Sequence, residues 1–184
     1  NGTNWTSVNS MNTARRLISG DGTNTSSLAF GGWTPYYGNT ESWNGTNWTE
    51  VADLNTARYG MGGAGADNTS SLGFGGVAPP GSNTAATELW TGSSWAETTD
   101  LNATRFYSSS TGIATAALCI GGPGTAAEEF TGAGAAVGAW STGNTMNLAR
   151  YNFAGCGTQT AALGFGGNYP PGDNFADQTE LYDG

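Results

Sequence analysis

A phrase of about twenty residues occurs four times along this chain, and its spacing constrains the fold more than any other feature. In every copy an arginine follows a tryptophan by ten residues. Successive copies lie 43, 47 and 45 residues apart. The tryptophans are Trp5, Trp48, Trp95 and Trp140, and the arginines are Arg15, Arg58, Arg105 and Arg150. Because a fixed period determines fold class more firmly than local propensity, four repeated structural units are predicted.

The residues within each unit favour short β-strands over helices. Glycine makes up 31 of the 184 residues, and no segment has apolar residues at spacings of three and four. Segments such as NWTEV, SSLGFGG and ATELWTG contain aromatic or β-branched residues and are bounded by turn-forming residues. A glycine pair ends one segment in every unit: Gly31-Gly32, Gly75-Gly76, Gly121-Gly122 and Gly166-Gly167. Four strands in each of four units predict an all-β fold, a four-bladed β-propeller.

The order of these motifs resembles the kelch repeat, and the resemblance covers essentially the whole chain. An arginine, a short apolar strand, Gly-Gly, an aromatic residue that ends a strand and a tryptophan follow one another. The resemblance implies that the strand after the arginine lines a central channel and that the tryptophan lies on an outer, fourth strand. The aromatic residues that would end the third strands are Trp43, Trp90, Phe130 and Tyr182. In a single domain spanning 1–184, blades are expected at approximately 11–52, 54–98, 101–143 and 146–184, with one further strand at 3–8.

The first and last segments of the sequence are expected to meet. The sequence opens with NGTNW, which matches a fourth strand, and stops after QTELYDG, which matches a third strand. An open sheet edge offers unpaired amides to other chains, so we expect residues 3–8 to pair with residues 178–183 and close a monomeric ring. Two alternatives stay open: four units cut from a longer array, or an eight-bladed ring shared by two chains.

The charge balance of the chain bears on its partners and its location. The chain has no lysine and no histidine, and its five arginines are outnumbered by fourteen acidic residues, which gives a net charge of −9. This charge repels phosphate backbones and anionic lipids, so we expect no nucleic-acid partner and no membrane insertion. Only 10% of the residues are charged, and Thr, Asn, Ser and Gly are abundant. This composition favours an extracellular or virion-surface location.

The residues offer little for catalysis, and we expect a protein that is not an enzyme. Without histidine the chain cannot form a Ser-His-Asp or Cys-His nucleophile system, or the copper centre of kelch-type galactose oxidases. Glu128 and Glu129 are adjacent, so their side chains lie on opposite faces of a strand. They are interpreted as having no counterparts in the other units. Two acidic segments, GDGTNTSS and AGADNTSS, occur in the first and second units. Their counterparts in the third and fourth units contain no carboxylate, so these segments are interpreted as turns. We therefore expect no metal and no cofactor.

The two cysteines are interpreted as buried free thiols. Cys119 and Cys156 fall in different units, and neither position holds a cysteine in the other copies. No repeated disulfide is therefore implied. Unpaired cysteine commonly behaves as a small apolar residue, which fits a place inside a β-rich core.

The repeated residues have structural interpretations. The four tryptophans are expected to pack between blades, where a large aromatic ring contributes most to burial. The four arginines are expected to donate hydrogen bonds to carbonyl groups of neighbouring blades near the channel mouth, or alternatively to form an anion-binding ring. Four asparagines that precede the arginines by three positions are interpreted as turn residues: Asn12, Asn55, Asn102 and Asn147.

The loops between Gly-Gly and the third strand differ from unit to unit, and function is expected there. They combine aromatic residues with prolines, which stiffen a loop and lower the entropic cost of presenting a ring. The predicted contact residues are Trp33, Tyr36, Tyr37, Asn168, Tyr169 and Asp173. We expect a non-catalytic module that binds a cell-surface glycan or protein receptor, as part of a larger chain or assembly, in a phage tail fibre or bacterial adhesin. The alternatives are a structural spacer or decoration domain without a ligand and an intracellular adaptor.

Overall fold

The computed structural model of this protein describes residues 2–34, 36–132, 138–172 and 174–184. Within those ranges all regular secondary structure is β-strand, so the predicted all-β class is confirmed. The strands form consecutive antiparallel sheets, and each main sheet corresponds to one repeated unit. Nothing within the described residues is a helix of the length and apolarity needed to cross a bilayer.

The first two units each form a sheet of four strands. The first sheet is made of β1 (Ser19–Gly22), β2 (Ser27–Phe30), β3 (Thr40–Trp43) and β4 (Trp48–Val51), paired in sequence order. The second sheet begins with β5 (Gly62–Asp67) and β6 (Ser70–Phe74). A small hairpin of β7 (Val77–Ala78) and β8 (Ser82–Asn83) follows, and the sheet then continues with β9 (Thr87–Trp90) and β10 (Trp95–Glu97).

The third and fourth units differ in strand number. The third sheet contains β11 (Ser109–Ile113), β12 (Ala116–Ile120), β13 (Ala127–Thr131) and β14 (Ala139–Thr142). The fourth sheet begins with β15 (Ala154–Gly157) and β16 (Ala162–Phe165), and a hairpin of β17 (Asn168–Tyr169) and β18 (Asn174–Phe175) follows. The hairpin is a separate two-stranded sheet. The fourth sheet itself is completed by β19 (Thr179–Tyr182) and therefore has three strands among the described residues.

In the first three units the glycine pair is hydrogen-bonded to the backbone of the next unit. Gly75 has a left-handed φ of 65°, and a Cβ at this position would lie 2.7 Å from the carbonyl oxygen of Arg105. The N–H of Gly76 donates to that same oxygen over 2.6 Å. Gly32 and Gly122 donate in the same way to the arginines of the second and fourth units. Glycine is therefore required here because the two backbones approach too closely for a side chain.

The same glycine pair closes the base of the variable loop. In every unit the N–H of the first glycine donates to the carbonyl oxygen of the residue that directly precedes the third strand. The acceptors are Asn39, Ala86, Ala126 and Gln178, at 3.1, 3.0, 3.0 and 3.2 Å. Loops of four different lengths therefore share one hydrogen bond at their base.

Consecutive sheets pack face to face through two distinct surfaces. The forward face of each sheet carries the leucine of the second strand and the residue two positions later. These pairs are Leu28 and Phe30, Leu72 and Phe74, Leu118 and Ile120, and Leu163 and Phe165. The backward face carries the tryptophan of the fourth strand and packs on the preceding sheet. The ring of Trp95 lies 4.9 Å from Phe30, and the ring of Trp140 lies 4.9 Å from Phe74.

Hydrogen bonds of these two tryptophans fix the sheets relative to one another. The indole N–H of Trp95 donates to the hydroxyl of Thr40 over 2.9 Å, and that of Trp140 donates to Thr87 over 3.2 Å. Both indole groups are buried, so each N–H needs an acceptor. Trp95 and Trp140 therefore lie between consecutive sheets, where the sequence places them.

The expected pairing of residues 3–8 with residues 178–183 is not found among the described residues. Residues 3–8 form no strand, and Trp5, expected between blades, is fully exposed. The inner strands pack in sequence order, β1 on β5, β5 on β11 and β11 on β15, and the described residues show no comparable packing of β15 on β1. Within the described residues β19 is therefore the edge strand of the fourth sheet.

The two cysteines are free, but only one is buried. Cys119 lies in β12 within the core, as predicted. Cys156 is exposed, which corrects the expectation of two buried thiols. Its counterpart in the second unit is Ala64, which the third sheet covers. No described sheet covers Cys156 in the same way.

Candidate functional site

The repeated arginine of each unit is paired with a glutamate from the third strand of the same unit. Arg58 lies 2.8 Å from Glu88, and both side chains are almost completely buried. Arg58 also donates to the carbonyl oxygens of Gly75 and Ala86, at 3.0 and 2.6 Å. The other pairs are Arg15 with Glu41, Arg105 with Glu128, and Arg150 with Glu180. The carbonyl acceptors thus belong to the same unit, which corrects the expectation of neighbouring blades.

The second oxygen of each glutamate binds the repeated asparagine. The backbone N–H of Asn55 donates to Glu88 over 2.7 Å, and its side-chain amide donates to the carbonyl oxygen of Trp95 over 3.2 Å. The asparagines are therefore connectors between the arginine segment and the sheet, beyond the turn role that the sequence suggested. Because a buried charge is tolerated when it is paired and hydrogen-bonded, this network makes each arginine a structural element.

The pairing argues against two earlier interpretations. An anion-binding ring would need arginines without carboxylate partners, and these four each have one. The interpretation of Glu128 as a residue that is not repeated is also wrong, since it occupies the same slot as Glu41 and Glu88. The signal was present in the sequence, because a glutamate stands two residues before the closing aromatic residue in every unit.

A cluster of aromatic side chains lies on the face that bears the variable loops. This aromatic cluster consists of Trp33, Tyr36, Tyr59, Phe106 and Tyr107. The ring of Trp33 lies 4.5 Å from Tyr59 and 5.2 Å from Tyr36. The rings of Tyr59 and Tyr107 are 6.3 Å apart, and those of Phe106 and Tyr107 are 5.3 Å apart. Three units thus contribute to one continuous aromatic surface, and all five side chains are half-buried.

A row of backbone hydrogen bonds, here called the inner ladder, brings these units together. Its residues stand two positions after the repeated arginines: Leu17, Gly60, Tyr107 and Asn152. Each has a left-handed φ between 52° and 60°. The N–H of Gly60 donates to Leu17, that of Tyr107 to Gly60, and that of Asn152 to Tyr107, at 3.0, 2.8 and 3.0 Å. The aromatic residues beside the ladder are thereby held at a fixed spacing.

The position of Tyr107 explains why its counterpart in the second unit is glycine. A Cβ on Gly60 would lie 2.5 Å from the ring of Tyr107, so the ring needs the open space above this residue. Burial is the main cause that raises the pKa of the Tyr107 hydroxyl, with Tyr59 acting in the same direction and Arg16 against it. Arg16 is exposed and lies beside Trp33 of this cluster, whose N–H donates to the carbonyl oxygen of Arg16 over 2.7 Å.

An apolar cavity of about 320 Å³ continues the aromatic cluster toward the fourth unit. It is lined by Phe106, Tyr107, Pro123, Tyr151 and Pro170. Phe106 and Tyr107 belong to both features, so the aromatic cluster and the cavity form one surface. A concave, largely apolar surface of this kind with a few polar groups at its rim is typical of ligand sites.

The structure places the predicted contact residues unequally. Trp33 and Tyr36 belong to the aromatic cluster. Tyr37 contributes through its backbone, since its N–H donates to Gly32 and its carbonyl oxygen accepts from Arg58, at 3.0 and 3.3 Å. Asn168 and Tyr169 form β17 beside Pro170 of the cavity. Asp173 lies outside the described residues.

Sequence reasoning missed four aromatic residues of this surface: Tyr59, Phe106, Tyr107 and Tyr151. A signal for three of them was available, because an aromatic residue directly follows the repeated arginine in the second, third and fourth units. The structure brings these residues beside the variable loops through bridges such as Tyr59 with Val77 and Tyr151 with Asn168. No cluster of three or more potential metal ligands is found among the described residues. Neither protein-family models nor curated protein sequences match the chain.

Proposed function

We propose that this chain is a non-catalytic recognition module of kelch-like propeller architecture, whose loop face binds a carbohydrate on a cell surface. The observation that carries the proposal is the continuous surface formed by the aromatic cluster and the adjoining cavity. Its setting is the outside of a virion or a bacterium, as a tail-fibre or adhesin domain, which fits the low charge and the high content of Asn, Thr, Ser and Gly.

Two features support the propeller architecture, in which each main sheet is one blade. The first is the order of the inner strands, which pack in sequence from β1 to β15. The second is the inner ladder, which joins the same position of successive units. Repeated contacts between equivalent positions are typical of radially arranged sheets.

The chemistry of the surface favours a sugar. Half-buried aromatic rings offer flat apolar faces against which the C–H faces of a sugar ring can stack. Contacts between two aromatic rings, the nearest analogue, are worth about 0.5–1.5 kcal/mol each beyond area burial. The hydroxyl groups of Tyr36, Tyr59 and Tyr107 supply donors and acceptors for sugar hydroxyls. Because the rings pack edge to face on one another, their positions are fixed before a ligand arrives.

The buried carboxylates support a role without catalysis. Glu41, Glu88, Glu128 and Glu180 are each bound by an arginine, so none of them is a free general acid or base. The chain also has no histidine that could take this role. The surface therefore offers stacking and hydrogen bonding, which are sufficient for recognition.

A glycan array probed with the labelled chain tests the proposal, followed by titration of the best ligand. We expect the double variant Trp33→Ala/Tyr36→Ala to bind at least about tenfold more weakly, because two stacking rings are lost. Ile113→Ala is the matched control, since this exposed side chain lies at the β11–β12 turn, away from the loop face. The proposal fails if the chain binds no glycan, or if the double variant binds as tightly as the parent.

A further inference from the structure

The forward face of the fourth sheet exposes the residues that the other sheets bury. Leu163 and Phe165 are 40% and 41% exposed. Their counterparts Leu72 and Phe74 in the second sheet are 0% exposed, because the third sheet covers them. An apolar surface that is covered in every other unit indicates an interaction surface in the last one.

The backward face of the first sheet is open in a complementary way. Trp48 is half-buried, whereas its counterparts Trp95 and Trp140 are 5% and 7% exposed. Ile18 is 38% exposed, whereas its counterpart Met61 is 6% exposed. The first sheet thus presents the same kind of surface that the second and third sheets use against their predecessors.

A cavity lies beside β19, at the place where the fourth sheet lacks an outer strand. It has a volume of about 210 Å³, and its lining includes Ile120, Ala127, Met146, Leu181 and Tyr182. Ile120 is the counterpart of Phe30 and Phe74, and Ala127 is the counterpart of Thr40 and Thr87, which contact Trp95 and Trp140. The cavity is therefore at the site that a fourth-strand tryptophan occupies in the two preceding sheets.

The first segment of the chain has the sequence of the strand that would fit this site. Residues 1–8 read NGTNWTSV, and residues 44–51, which include β4, read NGTNWTEV. Trp5 holds the slot of Trp48 and is fully exposed. The inner ladder likewise ends at the N–H of Leu17 and the carbonyl oxygen of Asn152, for which the described residues provide no further partner in the ladder.

From these matching ends we infer that the chain associates head to tail with a second copy of itself. Residues 2–8 of one copy pair as an outer strand with β19 of the other, and Trp5 enters the cavity beside Ala127. The backward face of the first sheet then covers the forward face of the fourth sheet. A second copy is the occupant because this strand sequence is present in every copy of the chain and, among the described residues, does not pair with β19 of its own chain. This interface repeats contacts already present between sheets, and the inference does not depend on the proposed function.

The symmetry of such an interface determines the possible products. The two surfaces are different, so the contact is heterologous: it closes into a ring if the rotation between copies allows it and otherwise grows into a filament. Both products use the same junction. The acceptor surface includes the sheet edge of β19, and an unpaired edge is a template for a strand of another chain.

The mass of the full chain in solution, measured by light scattering over a range of concentrations, is the first test. We expect a mass above the 18.7 kDa of one chain, falling to one chain in Trp5→Ala. Trp5→Ala should not change the melting of the monomer, because this side chain is fully exposed there. Ile113→Ala, altered at an exposed residue outside both end faces, should assemble like the parent. A mass of one chain at all concentrations, or assembly unaffected by Trp5→Ala, overturns the inference.

A mixing experiment separates this junction from other modes of association. The donor-defective variant is Trp5→Ala, and the acceptor-defective variant is Leu163→Asp/Phe165→Asp, in which both altered side chains are exposed in the single chain. Each variant alone should be monomeric. Their mixture should give a species of two chains and no larger one, because one intact donor and one intact acceptor remain. A mixture that stays monomeric contradicts the inference, as does either variant assembling alone.

Discussion

The second and fourth sheets are built from the same motif but lie in different surroundings. The second has four strands and a neighbour on each face, whereas the fourth has three described strands and a neighbour on one face. Equivalent residues such as Phe74 and Phe165 are buried in one and exposed in the other. The difference shows that a unit of this length does not bury its own apolar residues, and that the burial comes from its neighbours.

The ion pair between arginine and glutamate within each unit depends less on neighbouring sheets. The ion pair of Arg150 with Glu180 is present in the fourth sheet, as that of Arg58 with Glu88 is in the second. The glutamate is somewhat more exposed in the fourth sheet, at 14% against 2%. Each unit therefore carries its own polar framework and depends on its neighbours for its apolar contacts.

The largest difference in the free energy of unfolding is expected between two tryptophan variants, one altered between sheets and one altered at the open end. Trp95→Ala removes a buried ring and the hydrogen bond to Thr40, and should lower the free energy of unfolding by about 3–5 kcal/mol. Trp5→Ala should leave the free energy of unfolding of the monomer unchanged. Urea denaturation of both variants provides the measurement. Equal destabilisation by the two changes would show that Trp5 is buried in the monomer.

The second-largest change in the free energy of unfolding is expected when the ion pairs of the second and fourth sheets are broken. Glu88→Gln leaves Arg58 buried without a counter-charge, and the loss of one partner of a buried pair costs about 3–5 kcal/mol. Glu180→Gln should cost less, because water reaches this carboxylate more easily. Glu97→Gln, at an exposed position of β10 and without a direct contact to Arg58, is the control and should cost far less than either change. Denaturation curves that rank Glu180→Gln above Glu88→Gln would contradict the comparison.

A pH dependence of stability is expected from Asp21, on the forward side of the first sheet. Burial raises the pKa of its carboxyl group to about 7, while the hydrogen bond from Ser71 acts in the opposite direction. The folded chain thus binds this proton more tightly than the unfolded chain, whose ordinary carboxyl pKa is about 3.9. The contribution of Asp21 to stability is therefore highest in acid, falls as pH rises from about 4 to about 7, and is constant above that.

This pH dependence can be measured as the difference between the parent and Asp21→Asn. From pH 5 to pH 8 the parent should lose roughly 2–3 kcal/mol of stability relative to the variant, since each pH unit between the two pKa values is worth about 1.4 kcal/mol. Parallel curves of unfolding free energy against pH for the two proteins would show that Asp21 titrates normally.

The smallest effect is a difference in reactivity between the two thiols, of which Cys119 is buried and Cys156 is exposed. Burial raises the pKa of Cys119 to about 11, so this thiol should not react with a maleimide in the folded chain. Cys156 is exposed and should react. Mass spectrometry after brief labelling should show one modification, at Cys156. Modification of Cys119 at a similar rate would indicate that the third sheet opens readily.

The sequence predicted the repeated framework well because that framework depends on local rules. Strand-forming segments and glycine pairs can be recognised within a single unit, and the fixed period follows from comparing the four units. The glutamate partner of each arginine was missed because the register of the third strand brings it there, across 23–30 residues of chain. The aromatic cluster was recognised only in part, because residues of three units meet through the inner ladder. The open ends could not be predicted, since their surroundings depend on another sheet.

The hydrogen bond at the base of each variable loop has a consequence for how this scaffold can change. Since the bond is made to the same two backbone positions whatever lies between them, segments can be lengthened or exchanged there without altering strand register. Doubling the length of a flexible loop costs only about 0.6 kcal/mol. The glycine pairs thus separate the part of the chain that must stay constant from the part that is free to diversify, so new specificities can be grafted onto these four sites one at a time.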